Sequence, residues 1–246
     1  MTTVQLLDLT LETMSANLAL DEALLEQAEK NSGKPYEVLR IWEPTETMVV
    51  CGRSSKIEQE VFQQTCQQDG VPILRRCSGG ASIVTGPGCL MYGLVLSYQK
   101  RPELKMIEQA HYFVLNALVT AFNRQVSEVS RAGISDLVIG NTLSRKFSGN
   151  SLRCRRTHML YHGTVLYNFP LDEMGRYLAE PPRQPDYRRQ RDHTSFVCNL
   201  VVPRNVIHAA LLNAWKLTGP LHSWPETLTD QLVHEKYSCD AWNLAR

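Results

Sequence analysis

The chain has 246 residues (27.9 kDa), 43% of them hydrophobic and 21% charged, enough to bury a core that needs no disulfide or structural metal. Its 26 Lys+Arg nearly cancel its 25 Asp+Glu, and the net charge of +1 argues against a nucleic-acid binder that works by bulk electrostatics. The seven cysteines are scattered and form no C-x-x-C pair, which disfavours a zinc cluster or a disulfide framework and favours reduced thiols in a cytoplasm. The opening Met1-Thr2-Thr3-Val4-Gln5 lacks the blocks of a signal peptide, and no apolar run approaches a membrane span, so a soluble cytoplasmic protein is expected.

In chain order, residues 14–30 carry strong helix formers with apolar residues at three- and four-residue steps, and Gly33 and Pro35 end the pattern. Two β-like segments follow, 37–42 and 47–51, around the turn Glu43-Pro44-Thr45-Glu46. Residues 57–69 read as a second helix and 71–74 as a short buried strand. After a glycine loop, 90–98 is a strand, and 104–122 is a helix with an apolar stripe of Ile107, Ala110, Val114, Ala117, Leu118 and Ala121. Strands return at 136–139, around Lys146 and at 159–167, and 171–178 is a short helix. The arginine-rich, proline-containing segment 179–195 reads as a long loop, either a docking or covering element or a solvated connection. A last helix covers about 205–217, and the signals after Gly219 are mixed. Strands in adjacent groups, without βαβα alternation, predict an α+β fold with a mostly antiparallel or mixed sheet flanked by helices, in a single domain over 1–246.

Three short motifs carry chemistry. Arg75-Arg76-Cys77-Ser78-Gly79-Gly80-Ala81-Ser82 is neither a P-loop nor a Rossmann fingerprint. Its bare backbone N–H groups, its hydroxyl and its guanidinium forks suit a phosphate or carboxylate, although S-G-G also makes ordinary tight turns. Lys146-Phe147-Ser148-Gly149-Asn150-Ser151 puts a cation at the lip of a turn, or a solvated lysine beside a hairpin. Tyr161-His162-Gly163-Thr164 sets a histidine inside an apolar strand, where a hydrogen-bonded core residue is the common case.

Taken together, the motifs resemble the catalytic domain shared by lipoate-protein ligases, octanoyltransferases and biotin ligases, most closely over residues 17–168. Asn17-Leu18-Ala19-Leu20-Asp21-Glu22 is similar to the opening helix of that family, and Ile41-Trp42 with 47–53, closing on Gly52-Arg53, to its first hairpin. Arg75-Arg76-x-Ser78-Gly79-Gly80 resembles the R-R-x-S-G-G-G loop, and Asp136-Leu137-Val138 the D-L-V before the catalytic lysine. Lys146 to Ser151 resembles K-I/V-S-G-S/N-A/S, and His162-Gly163-Thr164 the H-G-T strand.

The resemblance implies a lipoate or biotin ligase-like fold and an enzyme that activates lipoate or a related acyl acid with ATP and Mg2+. It then passes the acyl group to a lysine of a lipoyl carrier domain, in a 2-oxoacid dehydrogenase E2 or a glycine-cleavage H-like protein. No tightly bound cofactor, nucleic acid or membrane is implied. The catalytic residue would be Lys146. Substrate and nucleotide would meet Arg75, Arg76, Ser78, Gly79, Gly80, Ala81, Asp136, Ser148, Gly149, His162, Gly163 and Thr164, with Asp136 holding the acceptor lysine or a magnesium ion. The strand at 90–96 and the first helix would line an apolar slot for the acyl chain.

The departures are Ala81 for the third glycine of the loop, Thr85-Gly86 for a following H-D, and Cys89 for an asparagine. Residues 219–246 form only a short tail where such ligases carry an accessory domain, which is expected to be absent or a separate subunit. Two other readings stay open. One is an ATP-independent octanoyl or lipoyl transferase with a displaced cysteine nucleophile, for which Cys77, Cys89 and Cys154 are the candidates; Leu152-Arg153-Cys154-Arg155-Arg156 looks like the L-R-x-R-R strand of one such class. The other is a non-catalytic relative that binds an acyl ligand or a carrier.

Overall fold

A computed structural model describes residues 4–31, 36–181 and 184–245. Strand β1 (Val4–Asp8) precedes helix α1 (Met14–Lys30), followed by β2 (Val38–Trp42) and β3 (Met48–Cys51). Two short helices, α2 (Ile57–Glu60) and α3 (Gln63–Asp69), lead to β4 (Ile73–Arg75), β5 (Ile83–Thr85) and β6 (Cys89–Ser97). A 3-10 turn at Pro102–Lys105 opens α4 (Ile107–Phe122), and four strands follow: β7 (Val129–Ala132), β8 (Asp136–Ile139), β9 (Arg145–Cys154) and β10 (His158–Leu166). Then come α5 (Asp172–Tyr177), a 3-10 turn at Asp186–Arg188, α6 (His193–Phe196), α7 (Arg204–Asn213) and β11 (Leu217–Pro220). The last elements are α8 (Glu226–Leu232), a π turn at Val233–Tyr237 and α9 (Asp240–Asn243).

The fold is α+β. Eight strands form one mixed sheet in the order β11-β1-β2-β6-β10-β9-β8-β7, and three form a second in the order β4-β3-β5. The large sheet is antiparallel from β2 to β7, and β1 runs parallel to both its neighbours. Its central strands β6 and β10 are buried almost throughout, which explains the unbroken apolar run of β6. Helices α4 and α7 cover one face of the large sheet over Leu94, Leu96, Phe147 and Tyr161. Helix α1 lies on the other face, starting at Thr13, whose side chain accepts from the Ala16 N–H. It is covered on nearly every side, so Asn17, Asp21 and Glu22 are buried as well as its leucines and must find polar partners.

Helix 14–30 and strand 136–139 lie where the pattern puts them, whereas the helix expected over 104–122 begins only at Ile107, after a separate 3-10 turn at Pro102–Lys105. The helix expected over 57–69 is broken in two, because Val61 turns extended and bridges Leu178. The helix expected over 205–217 stops at Asn213, and Leu217 enters a strand beside β1. Ile107, counted in the apolar stripe, is 55% exposed, since it sits in the first turn before α4 reaches the sheet. Among the described residues no helix is long and apolar enough to cross a membrane.

Candidate active site

A cleft of about 530 Å³ opens between the small sheet and the β8-β9-β10 part of the large one. Its apolar end is lined by Leu18, Trp42, Val50, Met91, Leu166, Met174 and Leu178. Its polar end is lined by Arg76, Gly80, Ala81, Asp136, Lys146, Ser148, Gly149, His162, Gly163 and Thr164. The segment after α5 closes one side with Pro185, Arg188, His193 and Phe196.

The glycine loop takes its shape from close backbone approaches. Gly80 has φ +91°, and a Cβ at Gly52 would stand 1.8 Å from the Gly80 carbonyl oxygen, so neither position accepts a side chain without displacing the loop. Arg76 braces the turn from within: Nη1 donates to Val50 O (3.0 Å), and Nη2 donates to Gly79 O (2.6 Å) and Ala81 O (2.9 Å). Ser151 Oγ on β9 donates to the same Gly79 oxygen at 2.7 Å, and the Ser82 N–H donates to Glu60 Oε2 at 2.7 Å. Burial pulls the Arg76 guanidinium down to about 10, a shift that an anion bound in the cleft would relieve. It keeps its proton at neutral pH.

Behind the loop runs a buried polar chain. Ser78 Oγ lies 2.6 Å from His162 Nε2, His162 Nδ1 lies 3.2 Å from Asp21 Oδ2, and Arg40 Nη1 donates to Asp21 Oδ1 at 2.6 Å. Arg40 Nη2 donates to Asn17 Oδ1 at 2.6 Å. Burial alone would raise the Asp21 pKa, but the Arg40 charge and the His162 hydrogen bond outweigh it and hold the carboxyl below its ordinary range. Ser78 is fully buried and does not line the cleft, whereas His162 does. The chain ties α1, β2 and β10 to the turn that carries Arg76.

Lys146 reaches the cleft from β9. Its Nζ lies 2.7 Å from Asp136 Oδ1, and the second oxygen of Asp136 accepts from the Tyr187 hydroxyl at 2.6 Å. A register shift between Leu137 and Val138 sets Asp136 opposite Gly149, and the Lys146 side chain folds back across Gly149 to meet it. A Cβ at Gly149 would stand 2.8 Å from the ammonium, so the glycine in Ser148-Gly149 is there for the lysine. Ser148 Oγ accepts from Asn150 Nδ2 at 3.3 Å, and Asn150 Oδ1 accepts from the Tyr92 hydroxyl at 2.6 Å. With both Asp136 oxygens engaged, and no group of three His, Cys, Asp or Glu converging among the described residues, the side chains do not by themselves form a metal site.

Not every expected residue faces the cleft. Arg75 is fully buried and turns away: Nη1 donates to Gly52 O (2.6 Å) and Ser55 O (3.1 Å), Nε to Trp242 O (3.0 Å) and Nη2 to Ala245 O. Adjacent residues at a strand end point to opposite faces, so only one of the two arginines lines the cleft. Among the described residues no cysteine lines the cleft. Cys77 and Cys89 are buried elsewhere and burial pushes each thiol up to about 12, the reverse of an activated nucleophile. Cys154 ends β9, beyond the cleft. Sequence reasoning missed Asp21, Glu60 and Tyr187. For Asp21 the signal was its four-residue spacing from Asn17 on one helix face.

The sequence matches the profile of the lipoyl protein ligase A/B catalytic domain over residues 13–211. The chain belongs to this family. Its curated relatives include the lipoate-protein ligase A of Blochmanniella floridana, 28% identical over 225 residues that cover 89% of this chain and 62% of the relative. A probable lipoate-protein ligase A of Mycoplasma genitalium is 29% identical over 66% of this chain and 45% of its own. The chain thus spans about half to two thirds of the length of these relatives. Among solved structures, the bipartite lipoate protein ligase of the Thermoplasma acidophilum lipoylation system superposes with a TM-score of 0.83, at 21% identity and covering 100% of this chain and 98% of that one. A lipoate-protein ligase A bound with ATP superposes with a TM-score of 0.79, at 21% identity and with 99% of each chain covered. At these identities the superpositions establish the lipoyl ligase fold.

Proposed function

We propose that this chain is the catalytic unit of a lipoate-protein ligase-like enzyme, joining lipoate or a related acyl acid to ATP and then to a carrier lysine. The observation that carries the reading is that Arg76 and Lys146 share one cleft with an apolar slot behind them. In the first step a carboxylate oxygen attacks the α-phosphorus and pyrophosphate leaves. Two anions must meet for this, and Arg76 with the loop N–H groups offsets their repulsion. Lys146 stabilises the charge that grows on the acyl-phosphate oxygens. In the second step Asp136 is the carboxylate able to receive the incoming carrier ammonium, and the lysine gives up a proton to Asp136 or to solvent. Its free amine attacks the acyl carbon, and AMP leaves with the bonding electrons while the amide nitrogen sheds its remaining extra proton to solvent. Family relatives described as lipoate-protein ligases, with folds solved holding ATP or lipoic acid, support the same assignment. So does the Thermoplasma ligase studied with its E2 lipoyl domain, which points to a lipoyl carrier as partner.

The cysteine-dependent transferase has less support, because its three candidate thiols lie outside the cleft. The test is acid-dependent pyrophosphate exchange with ATP and Mg2+, using lipoate and octanoate, for the wild type and Lys146→Ala. A single well-aimed charge donor is worth about 10²–10³ in turnover, and Lys146→Ala is expected to lose that much. If exchange is absent in the wild type and one cysteine takes up octanoyl from an acylated carrier, the transferase is the right reading. Bound acyl ligand with neither activity leaves the non-catalytic relative.

A further inference from the structure

Three carboxylates line the cleft: Asp21, Glu60 and Asp136. Asp21 is locked between Arg40 and His162, and Glu60 holds the Ser82 N–H of the glycine loop, so neither can change partner without dismantling the site. Asp136 differs. One oxygen pairs with Lys146, and among the described residues the other accepts only the Tyr187 hydroxyl, from a residue outside both sheets.

Tyr187 is held for this contact from several sides. Its ring packs on Phe196 at 5.2 Å and lies 3.2 Å from where a Cβ of Gly133 would stand, at the tip of the β7-β8 hairpin. Beyond Arg188, Arg189 and Gln190 take left-handed conformations at φ +51° and +58°, uncommon for residues with side chains. Arg191 fastens the turn, donating from Nη2 to Tyr187 O (3.0 Å) and from Nε to Arg188 O (3.0 Å). Burial, then the Asp136 charge, raises the phenol pKa, so the hydroxyl stays a donor.

We propose that Tyr187 is a positioning residue that occupies the seat of the acceptor lysine: its hydroxyl stands on the Asp136 oxygen that an incoming lysine ammonium takes, and acyl transfer requires that exchange. The inference rests on the ligase reading, in which Asp136 receives that lysine, and adds what holds the seat beforehand. A carboxylate left bare there would draw in water or a stray cation next to the activated acyl group. The hydroxyl keeps the oxygen satisfied and yields to a charged donor, which makes the stronger hydrogen bond. Tyr187→Phe keeps the ring packing and removes only the competitor.

The experiment uses the intact chain with Nα-acetyllysine methylamide as the acceptor probe and its Nε-acetylated form, which lacks the cation, as control. First, the 13Cζ resonance of Tyr187, assigned by its loss in Tyr187→Phe, is followed during titration. It is expected to move with the probe, to stay with the control, and to lose its response to the probe in Asp136→Asn. Second, Tyr187→Phe is expected to lower the KM for the probe about tenfold, as for loss of one competing hydrogen bond to a charged group. A resonance that ignores the probe throughout, or an unchanged KM, overturns the proposal. Exchange and transfer falling together also overturn it, since Tyr187 would then serve Lys146 and not the acceptor. Absence of exchange in the wild type instead refutes the ligase reading, and the resonance titration still decides whether the probe displaces Tyr187.

Discussion

Arg75→Met separates the two adjacent arginines most sharply. The Arg75 guanidinium spans four carbonyls, two after β3 (Gly52 and Ser55) and two at the C-terminal end (Trp242 and Ala245). Methionine fills much of the volume and removes the fork, leaving Gly52 O with only the Ser55 N–H and Trp242 O with only the long Ala245 N–H contact. Each charge-assisted bond is worth about 1.5–3 kcal/mol, but the losses do not add, because Trp242 and Ala245 are only half-buried and their carbonyls can reach water. Three backbone-anchored contacts also survive: the Arg75 N–H to Asn243 Oδ1, Trp242 Nε1–H to the Arg75 carbonyl, and Asn243 Nδ2 to Tyr237 O. A net cost of about 4 kcal/mol follows, in the range for breaking a buried charged network. For a domain of this size that lowers the melting temperature by about 8–16 °C. Thermal unfolding by circular dichroism measures it, and limited proteolysis should show new cleavage within residues 226–245. Arg75→Lys, which cannot fork, should recover only part of the loss. If Arg75→Met melts within about 3 °C of wild type, a fall worth less than about 1.5 kcal/mol, the tail is not held in this way. If it leaves the tail protected while raising the KM for ATP, the side chain serves the ligand after all.

Gly52→Ala places a methyl group 1.8 Å from the Gly80 carbonyl oxygen, so the loop must shift. Overpacking of this kind costs about 1–3 kcal/mol, and binding of an anionic ligand, read by calorimetry, should weaken more than the melting temperature alone predicts. The pH dependence of stability has a definite sign. Burial lowers the pKa of His111 and of His158 below the ordinary 6.5, against partial offsets from Asp136 and Glu29 respectively. The unfolded chain therefore binds more protons than the folded one between those values. The stabilisation is complete above about pH 7 and is lost as the pH falls through 6.5 towards the folded values. Melting temperatures at about pH 7.5 and 5.5 should show the drop, and His111→Gln should flatten part of it.

How much of this was legible depends on the range of the interactions. Residues 14–30 read as a helix because a helix advertises itself through local spacing, and α1 has those bounds. Strand β1 gave no such signal, since five residues that pair in parallel with β2 and β11 are defined by partners far along the chain. The same distinction splits 57–69: propensity favours one helix, but the bridge from Val61 to Leu178 spans more than a hundred residues and wins locally. At the site, the Arg-Ser-Gly-Gly, Lys-Phe-Ser-Gly and His-Gly-Thr motifs were legible because each is a short continuous stretch of glycine and polar residues beside a cation or a histidine. Tyr187 was not. It lay in a loop with no periodicity, and its partner Asp136 is 51 residues away.

Sequence alone determined the class of fold, the principal helices and the loop of bare backbone beside two arginines, since these follow from short-range periodicity and from the few residues able to make such a turn. Only the tertiary structure decided that Arg76 enters the cleft while Arg75 clamps the C-terminal segment. It alone drew Asp21, His162 and Ser78 into one buried chain, left the cysteines outside and brought Tyr187 onto Asp136. The physical reason is that the direction of a side chain at a strand end, and the partner that satisfies a buried charge, are set by whichever distant segment packs there. No local pattern encodes that segment's arrival.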